Sequence, residues 1–412
     1  GDGIAVDVGR HDLDRIRRAS LVVASPGVPP SSVALVTARD ADIPIVSEVE
    51  IGLRFLPNVR YVAITGSNGK TTTTAIAGAL LAALGRRVVT AGNIGTPVTE
   101  LALRADPPPW MALEMSSFQL HDTPSIAPTV GVLTNLSPNH LDRYASLDEY
   151  YGDKALLFRN ARSASTSVSN ADDPASQRLL AQVAGQHVRF STSRPADAYL
   201  DRVTGRLIVL DEPLMSRRDL PLLGDHNVAN ALAASLAVML SDGQHSTPAA
   251  RQAIAGALSQ FRALEHRNEP VADVAGVLWV NDSKSTSVAA TEVALRGMTR
   301  PTVLLLGGRH KGEPYSSLAP ELSRTVRVVL AYGEAAPLVE RDLAGAVPVE
   351  RLGSSFLDVI RRAREIARPG DAVLLSPACS SYDMFANYEE RGAAFKRLVN
   401  EGAAVTGTAR IR

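Results

Sequence analysis

The chain has 412 residues, more than a single hydrophobic core usually supports, so two or three domains are expected. Lysine plus arginine and aspartate plus glutamate number 43 each, a balance that argues against nucleic acid as a partner but leaves room for a local basic pocket for phosphate. The single cysteine, Cys379, excludes an internal disulfide and a cysteine metal cluster and fits a reducing compartment, where it reads as a small buried hydrophobe.

The longest apolar runs, near Ala75 to Leu84 and Ala231 to Leu240, are about half of the ~20 residues that a membrane-spanning helix needs. No signal peptide is visible, so a cytoplasmic protein without a membrane partner is expected. The chain opens at Gly1 without Met and without a recognisable opening strand, and the expectation is that its true N-terminus is missing.

Residues 1–57 alternate short apolar strands with helical stretches. Leu21 to Ser25 runs into Ser25-Pro26-Gly27, and Ile43 to Val46 precedes a helix around Glu48 to Phe55. Strand, glycine-bearing turn and helix in that order are the grammar of an open parallel sheet, whose ligands gather at the carboxyl ends of the strands. Pro57-Asn58 reads as a linker.

The stretch Tyr61 to Thr74, YVAITGSNGKTTTT, is the strongest signal in the chain. Four strand-type residues lead into a turn of Gly66, Ser67, Asn68 and Gly69, and Lys70, Thr71 and Thr72 open a helix. Backbone N–H groups of such a turn and helix start converge on one point and make a phosphate site. Lys70 adds a mobile positive charge, and Thr71 can offer its hydroxyl to Mg²⁺. Ile64 stands where the standard loop has its first glycine, so Gly66 shortens the loop; a helix-capping turn with an incidental lysine is the alternative. Gly85 can supply the left-handed residue that ends the helix.

Two further strands end in polar residues: Val88 to Ala91 before Gly92-Asn93-Ile94-Gly95, and Trp110 to Leu113 before Glu114-Met115-Ser116-Ser117. A carboxylate at the end of a buried strand beside a phosphate loop is where a Mg²⁺ partner belongs, which makes Glu114 a candidate ligand. Val130 to Leu136 is another strand, followed by the polar turn that holds His140. Ser146 and Glu149 have capping-box spacing, so a helix is predicted from Leu147. Leu147, Tyr150, Tyr151, Lys154, Leu157 and Phe158 then share one face. Lys154 within this apolar stripe either extends its amine to water or is desolvated, neutral and reactive. In the second case carbon dioxide would make it a carbamate, able to hold metal with His140, Glu114 and Thr71.

From Ala171 to Arg218 the mixed pattern suggests short strands beside the main sheet. Asp225 reads as the N-cap of an apolar helix, Val228 to Leu240, which Asn227 and Asn230 enter on one face. The segment from Glu265-His266-Arg267 alternates again, with strands Val277 to Asn281, Thr302 to Leu306, Val326 to Ala331 and Ala372 to Leu375. A helix with Phe356, Ile360, Ala363 and Ala367 inward precedes the last of them. This predicts a second parallel sheet, with polar clusters Asp282 to Ser287, Gly307 to Lys311 and Ser376 to Tyr382 at one crevice edge.

At this point the chain resembles the Mur ligase family. The stretches TGSNGKTT, GNIG, LEMSSFQL, NLSPNHLDR, GDHNVANALAA, EHRNE, NDSKSTS, LLLGGRHKG, SPACSSYDMF and NYEERG carry the resemblance, from Ser25 to Arg391. The phosphate loop and GNIG are shared across the family, whereas SSFQL, the HR and DSK stretches and the SPA segment resemble its D-glutamate-adding branch. The resemblance implies an α/β protein of three domains: a partial Rossmann-like domain for the UDP substrate (1–57), a central P-loop-type ATPase domain with a mostly parallel sheet (58–264), and a C-terminal Rossmann-like domain for the amino acid (265–412).

It also implies an ATP-dependent, ADP-forming ligase that makes an amide between D-glutamate and UDP-N-acetylmuramoyl-L-alanine through an acyl phosphate, as a monomer with two Mg²⁺ ions. Position by position, Gly66 to Thr72 match the family's ATP phosphate contacts, with Lys70 catalytic. Thr71, Glu114, His140 and carbamylated Lys154 match its metal sites. Asn227, Asn230, Arg267 and Asp282 fall where adenine, phosphate and ribose are held. Lys284, Thr286, Lys311, Ser381 and Tyr388 fall where D-glutamate is handled, and Ser25, Pro26, Gly27, Gly92 and Asn93 on the UDP-sugar side. Ser287, Tyr382 and Tyr388 depart from the more familiar Asn, Leu and Phe. The nearest alternatives are another amide ligase of the family, such as the folate polyglutamylating enzyme, and a plain P-loop ATPase; the DNPR stretch of the diamino-acid-adding member does not occur.

Overall fold

The computed structural model describes residues 3–138, 143–406 and 409–410, with side chains described up to Glu401. The chain divides into two compact units, one of Gly1–Leu220 and Val228–Phe261, the other of Pro221–Asn227 and Arg262–Arg412.

In the first unit, strands Val22–Ala24 and Ile45–Ser47 pair in parallel, and the helix Glu48–Phe55 follows directly, capped by Ser47. Among the described residues a larger sheet of nine strands contains the phosphate-loop strand, Arg60–Thr65. Its neighbours are Trp110–Glu114 on one side and Val130–Leu133 on the other, both parallel to it. This order decides the chemistry, because the loop after Thr65 lies between the ends of the two strands that lead to Glu114 and to the Asn135 turn. Val88–Gly92 closes that edge in parallel with Trp110–Glu114.

The strands from Thr166–Asn170 to Glu212–Ser216 differ from their expected place beside the sheet. They continue it, parallel as far as Ala198–Asp201 and antiparallel beyond. Their short, mixed pattern reflects the open end of a sheet, where only one face needs to be apolar.

The helices start where their caps are. Lys70–Ala83 begins at Gly69, whose φ of 81° is in the left-handed region, and it gives way to Gly85 at φ 74°. Leu147–Ala155 begins after Ser146, whose hydroxyl accepts from the Glu149 N–H. The reciprocal half of the expected box shifts by one residue: the Glu149 carboxylate takes the N–H of Ala145. Asp225 is the first residue of the helix Asp225–Leu240 and lies inside the helix it was expected to cap. A carboxylate in a first turn is favoured there by the helix dipole, so the same residue type serves either position.

The second unit is built on a sheet in the order Val349–Arg351, Val326–Tyr332, Thr302–Gly307, Ala372–Leu375, Val277–Asn281, Glu269–Val274 and Ala409–Arg410. The first five are parallel, and Glu269–Val274 runs antiparallel to both its neighbours. The expected polar clusters follow three adjacent strands in this order, which is why they share one edge.

One face of this sheet is covered by Phe356–Ile366, whose Phe356, Val359, Ile360 and Ala363 are buried against Val303, Leu305, Leu330 and Val373. Removing a fully buried branched side chain leaves a cavity that a sheet cannot close. Ile360→Ala is therefore expected to lower the stability of this unit by about 2–5 kcal/mol, seen as an earlier urea transition. An unmoved transition would show that the helix contributes nothing to the core.

Candidate functional site

The phosphate loop is braced from the neighbouring turn. Ser67 N–H donates to the Asn135 carbonyl at 2.8 Å and Asn68 N–H to Asn135 Oδ1 at 3.0 Å, while Thr134 Oγ1 and Asn135 Nδ2 donate to the Asn68 carbonyl. Ser67 Oγ donates to the Ser137 carbonyl at 2.9 Å and accepts from Ser137 N–H. Two glycines make this approach possible. A Cβ on Gly66, whose φ is 143°, would lie 2.0 Å from Thr134 Oγ1, and one on Gly69 would lie 2.3 Å from Asn230 Oδ1. Asn230 also accepts from Thr73 Oγ1 at 3.2 Å, so it lies against the start of the phosphate-loop helix. Gly69 caps this helix with no side-chain hydrogen bond to its first-turn N–H groups, where Thr71 and Thr72 sit.

Two lysines converge on this loop. Lys70 Nζ donates to the carbonyls of Gly66 at 2.8 Å and Ser67 at 2.9 Å, and Lys154 Nζ donates to the same Gly66 carbonyl at 2.9 Å. Lys154 is 1% exposed, with its Nζ 4.5 Å from the centre of the Tyr150 ring. Its amine does not extend to water from the apolar stripe. Burial first, and the charge of Lys70 second, drive its amine well below the usual lysine range.

Glu114, also 1% exposed, ends the adjacent strand. Its Oε1 accepts from Asn93 Nδ2 at 2.8 Å, and its buried Oε2 has no hydrogen-bond partner. A buried carboxylate oxygen is an acceptor only and costs free energy unless something electropositive meets it. A carboxylate oxygen of this kind suits a hard divalent cation. Among the described residues no three His, Cys, Asp or Glu side chains gather at one point; His140 lies outside the described residues. Gly92 has a structural duty as well, since a Cβ there would fall 2.3 Å from the Glu114 carbonyl.

Lys70, Lys154, Asn93, Pro26, Gly27, Ser116, Ser117, Phe118 and Tyr150 line one cleft of about 280 Å³. A neighbouring cleft of about 270 Å³ includes Ser25, Pro26, Arg39, Phe118 and Arg143. A larger cavity of about 670 Å³ opens by Ala127, Pro128 and Thr166, toward the amino ends of the strands and away from the polar loops.

Several residues that shape the site were not singled out from sequence. The Arg143 guanidinium lies 4.0 Å from the centre of the Phe118 ring and donates to the Pro26 and Val28 carbonyls, which ties the Ser25-Pro26-Gly27 turn down. Thr134 and Asn135 brace the phosphate loop. Their signal was position: both immediately follow a strand that pairs with the loop's own strand, which only the strand order reveals.

In the second unit the Arg267 stretch and the Asp282 loop meet. Asp282 accepts from Asn268 N–H at 3.1 Å and from Ser376 Oγ at 2.8 Å, and Lys284 N–H donates to the His266 carbonyl. Asn227 Nδ2 donates to the Leu223 carbonyl. Lys284 Nζ donates to Tyr388 Oη at 2.9 Å, and Lys311 Nζ to Thr286 Oγ1 at 3.2 Å. Ser381 is buried at the end of the third loop. Of the departures, Ser287 caps the helix Val288–Arg296 by accepting from Ala290 N–H, and Tyr382 is largely exposed.

Burial pushes the Asp282 carboxyl up to about 6, against the pull of its hydrogen bonds. A carboxyl raised in the folded state stabilises the fold fully below its unfolded value near 4 and loses that contribution as pH rises through about 6. Asp282→Asn removes this dependence. Its stability relative to the unsubstituted chain is expected to improve by up to roughly 3 kcal/mol between pH 4 and pH 7, whatever the constant offset. Parallel denaturation curves across that range would contradict it.

A family model described as the Mur ligase middle domain matches residues 64–238, and one described as the Mur ligase, glutamate ligase domain matches residues 266–379. The UDP-N-acetylmuramoylalanine–D-glutamate ligase of Acidobacterium capsulatum is 40% identical over 410 residues, spanning 98% of this chain and 87% of its own length. The protein of the same name from Anaeromyxobacter dehalogenans is 40% identical over 410 residues, 96% of this chain and 87% of its own. Among solved structures, the MurF ligase from Thermotoga maritima in complex with ADP aligns with a TM-score of 0.64 at 17% identity, covering 96% of this chain and all of that one (100%). The UDP-N-acetylmuramate-alanine ligase MurC from the same organism aligns with a TM-score of 0.62 at 18% identity, covering 93% and 86%. At such identities these two likenesses concern the fold.

Proposed function

Because this chain belongs to the Mur ligase family, we propose that it joins D-glutamate to UDP-N-acetylmuramoyl-L-alanine with consumption of ATP, as a monomer, in a cytoplasmic step of peptidoglycan precursor synthesis. The substrate assignment follows relatives of that name that match nearly the whole chain. The observation that carries the chemistry is the cleft in which Lys70 and Lys154 donate to one carbonyl beside a buried carboxylate with an unmatched oxygen.

A carboxylate resists nucleophiles until it has a good leaving group. ATP supplies one by phosphorylating the alanyl carboxylate; the amine of D-glutamate then attacks the acyl phosphate, and the tetrahedral intermediate expels phosphate to leave the amide. Gly66 to Thr72 hold the ATP phosphates, and Lys70 meets the charge that develops on the transferred group. Two Mg²⁺ ions, held by Thr71, Glu114, His140 and carbamylated Lys154, supply neutralisation of that charge when bound.

Asn227, Asn230, Arg267 and Asp282 hold the adenosine and its phosphates. Lys284, Thr286, Lys311, Ser381 and Tyr388 bind and orient D-glutamate. Ser25, Pro26, Gly27, Gly92 and Asn93 face the UDP-sugar. We assign these tasks to three domains, 1–57, 58–264 and 265–412.

The carbamate reading accounts for two lysine amines on one acceptor. Carbon dioxide attaches to the neutral Lys154 amine with loss of a proton, which places an anion beside Lys70.

Phosphate release is expected to require both the muramoyl-alanine nucleotide and D-glutamate, with the amide product seen by mass spectrometry. Release with neither present would make the chain an ATPase. Lys154→Ala is expected to lose at least about 10²-fold in turnover, the scale for one preorganised charge contact, and to recover part of it with added short carboxylates. Full activity in their absence would reduce Lys154 to a packing residue.

A further inference from the structure

Arg391 lies in the first turn of the helix Tyr388–Thr406, 1% exposed and among the largest buried side chains in the protein. Its Nε donates to Ser283 Oγ at 3.0 Å and its Nη2 to the Ser283 carbonyl at 2.8 Å; Nη1 and Nη2 both donate to the Cys379 carbonyl at 3.2 Å. A Cβ added to Gly308 would lie 3.2 Å from Nη1, so the guanidinium also lies against the Gly307 to Lys311 loop. The Ser283 hydroxyl closes the circuit by donating to the Tyr388 carbonyl at 2.8 Å, at the start of Arg391's own helix.

None of these three acceptors is a carboxylate. Burying a cation against neutral oxygens is an expensive way to fill space, and an apolar side chain of similar volume would usually stabilise as well or better. What the guanidinium alone can do is hold a rigid planar fork across two backbones. The residues it spans are telling. Ser283 is bonded directly to Lys284, Cys379 is two residues before Ser381, Gly308 begins the loop that reaches Lys311, and Tyr388 is one helical turn away.

We infer that Arg391 is the positioning residue of the amino-acid pocket, setting the distances among Lys284, Ser381, Tyr388 and Lys311 without touching the substrate. This rests on the proposed reaction, in which those four residues receive D-glutamate. Arg391 keeps the loops in register before the substrate arrives, so that binding does not have to order them. Lysine in its place would keep the charge and lose the fork.

The test is steady-state kinetics on Arg391→Lys and on Ser283→Ala, which removes the Nε acceptor and the hydroxyl's bond to Tyr388, with the melting temperature of each. The expected result is a KM for D-glutamate raised about tenfold or more, the scale of misplacement by a fraction of an ångström to 1 Å. The KM for the muramoyl-alanine nucleotide stays within about twofold, because the phosphate-loop cleft contains neither residue. A lowered melting temperature with unmoved D-glutamate KM, or an equal rise in both KM values, overturns the inference and leaves Arg391 as a fold-stabilising residue. If Arg391→Lys does not fold, Ser283→Ala decides by the same criterion. An unsubstituted chain that makes no amide from D-glutamate overturns the underlying reading and this inference with it. Normal product formation by that chain, with unmoved KM in the variants, overturns the inference alone.

Discussion

The constraint on which the first unit's site depends is that one backbone oxygen, the Gly66 carbonyl, receives two lysine amines. Burial and the neighbouring Lys70 both disfavour a charge on Lys154. The same electrostatics would favour an anionic group close to the pair. The phosphate-loop helix starts at Lys70, and a carboxylate with an unmatched oxygen ends the adjacent strand. The shifted Lys154 amine and the chemistry proposed for the cleft therefore have the same electrostatic origin.

Much of this was legible because the signals are local. The Gly66 to Thr72 loop, the strand before it and the helix after it are contiguous, and a strand–turn–helix read from spacing emerged as such. The helix after Ser146 was legible for the same reason: the cap and the apolar stripe both belong to residues three or four apart. Spacing could also place Lys154 on the buried face. It could not say whether the amine reaches water, because that depends on Tyr150 and the Gly66 carbonyl closing over it, and the latter is 88 residues away.

What stayed hidden was long-range. Thr134, Asn135 and Arg143 contribute through pairings set by strand order, and no periodicity reports strand order. The run from Ala171 to Arg218 carried too little apolar patterning to reveal that it extends the sheet. The antiparallel strand Glu269–Val274 was missed because it contains Pro270 and follows a loop with His266 and Asn268 at positive φ, features that read as turn.

Both sheets meet the same geometric requirement in the same way. Parallel strands that are neighbours in space but distant in sequence bring unrelated loops to one edge, and those loops must come within hydrogen-bond distance without a side chain intervening. Gly66 allows this against Thr134, and Gly92 against the Glu114 carbonyl. In the second unit Gly307 and Gly308 do so against the carbonyls of Tyr332 and Ser380, with φ of 153° and 130°. Glycine alone would leave such loops loose, since it has most conformational freedom to lose. The complement is a side chain able to bond several backbones at once: Asn135 across the phosphate loop, and Arg391 across the amino-acid loops. Close approach and cross-bracing together turn three flexible turns into a fixed set of donors, and this is the form in which a binding edge can hold charge at a defined place.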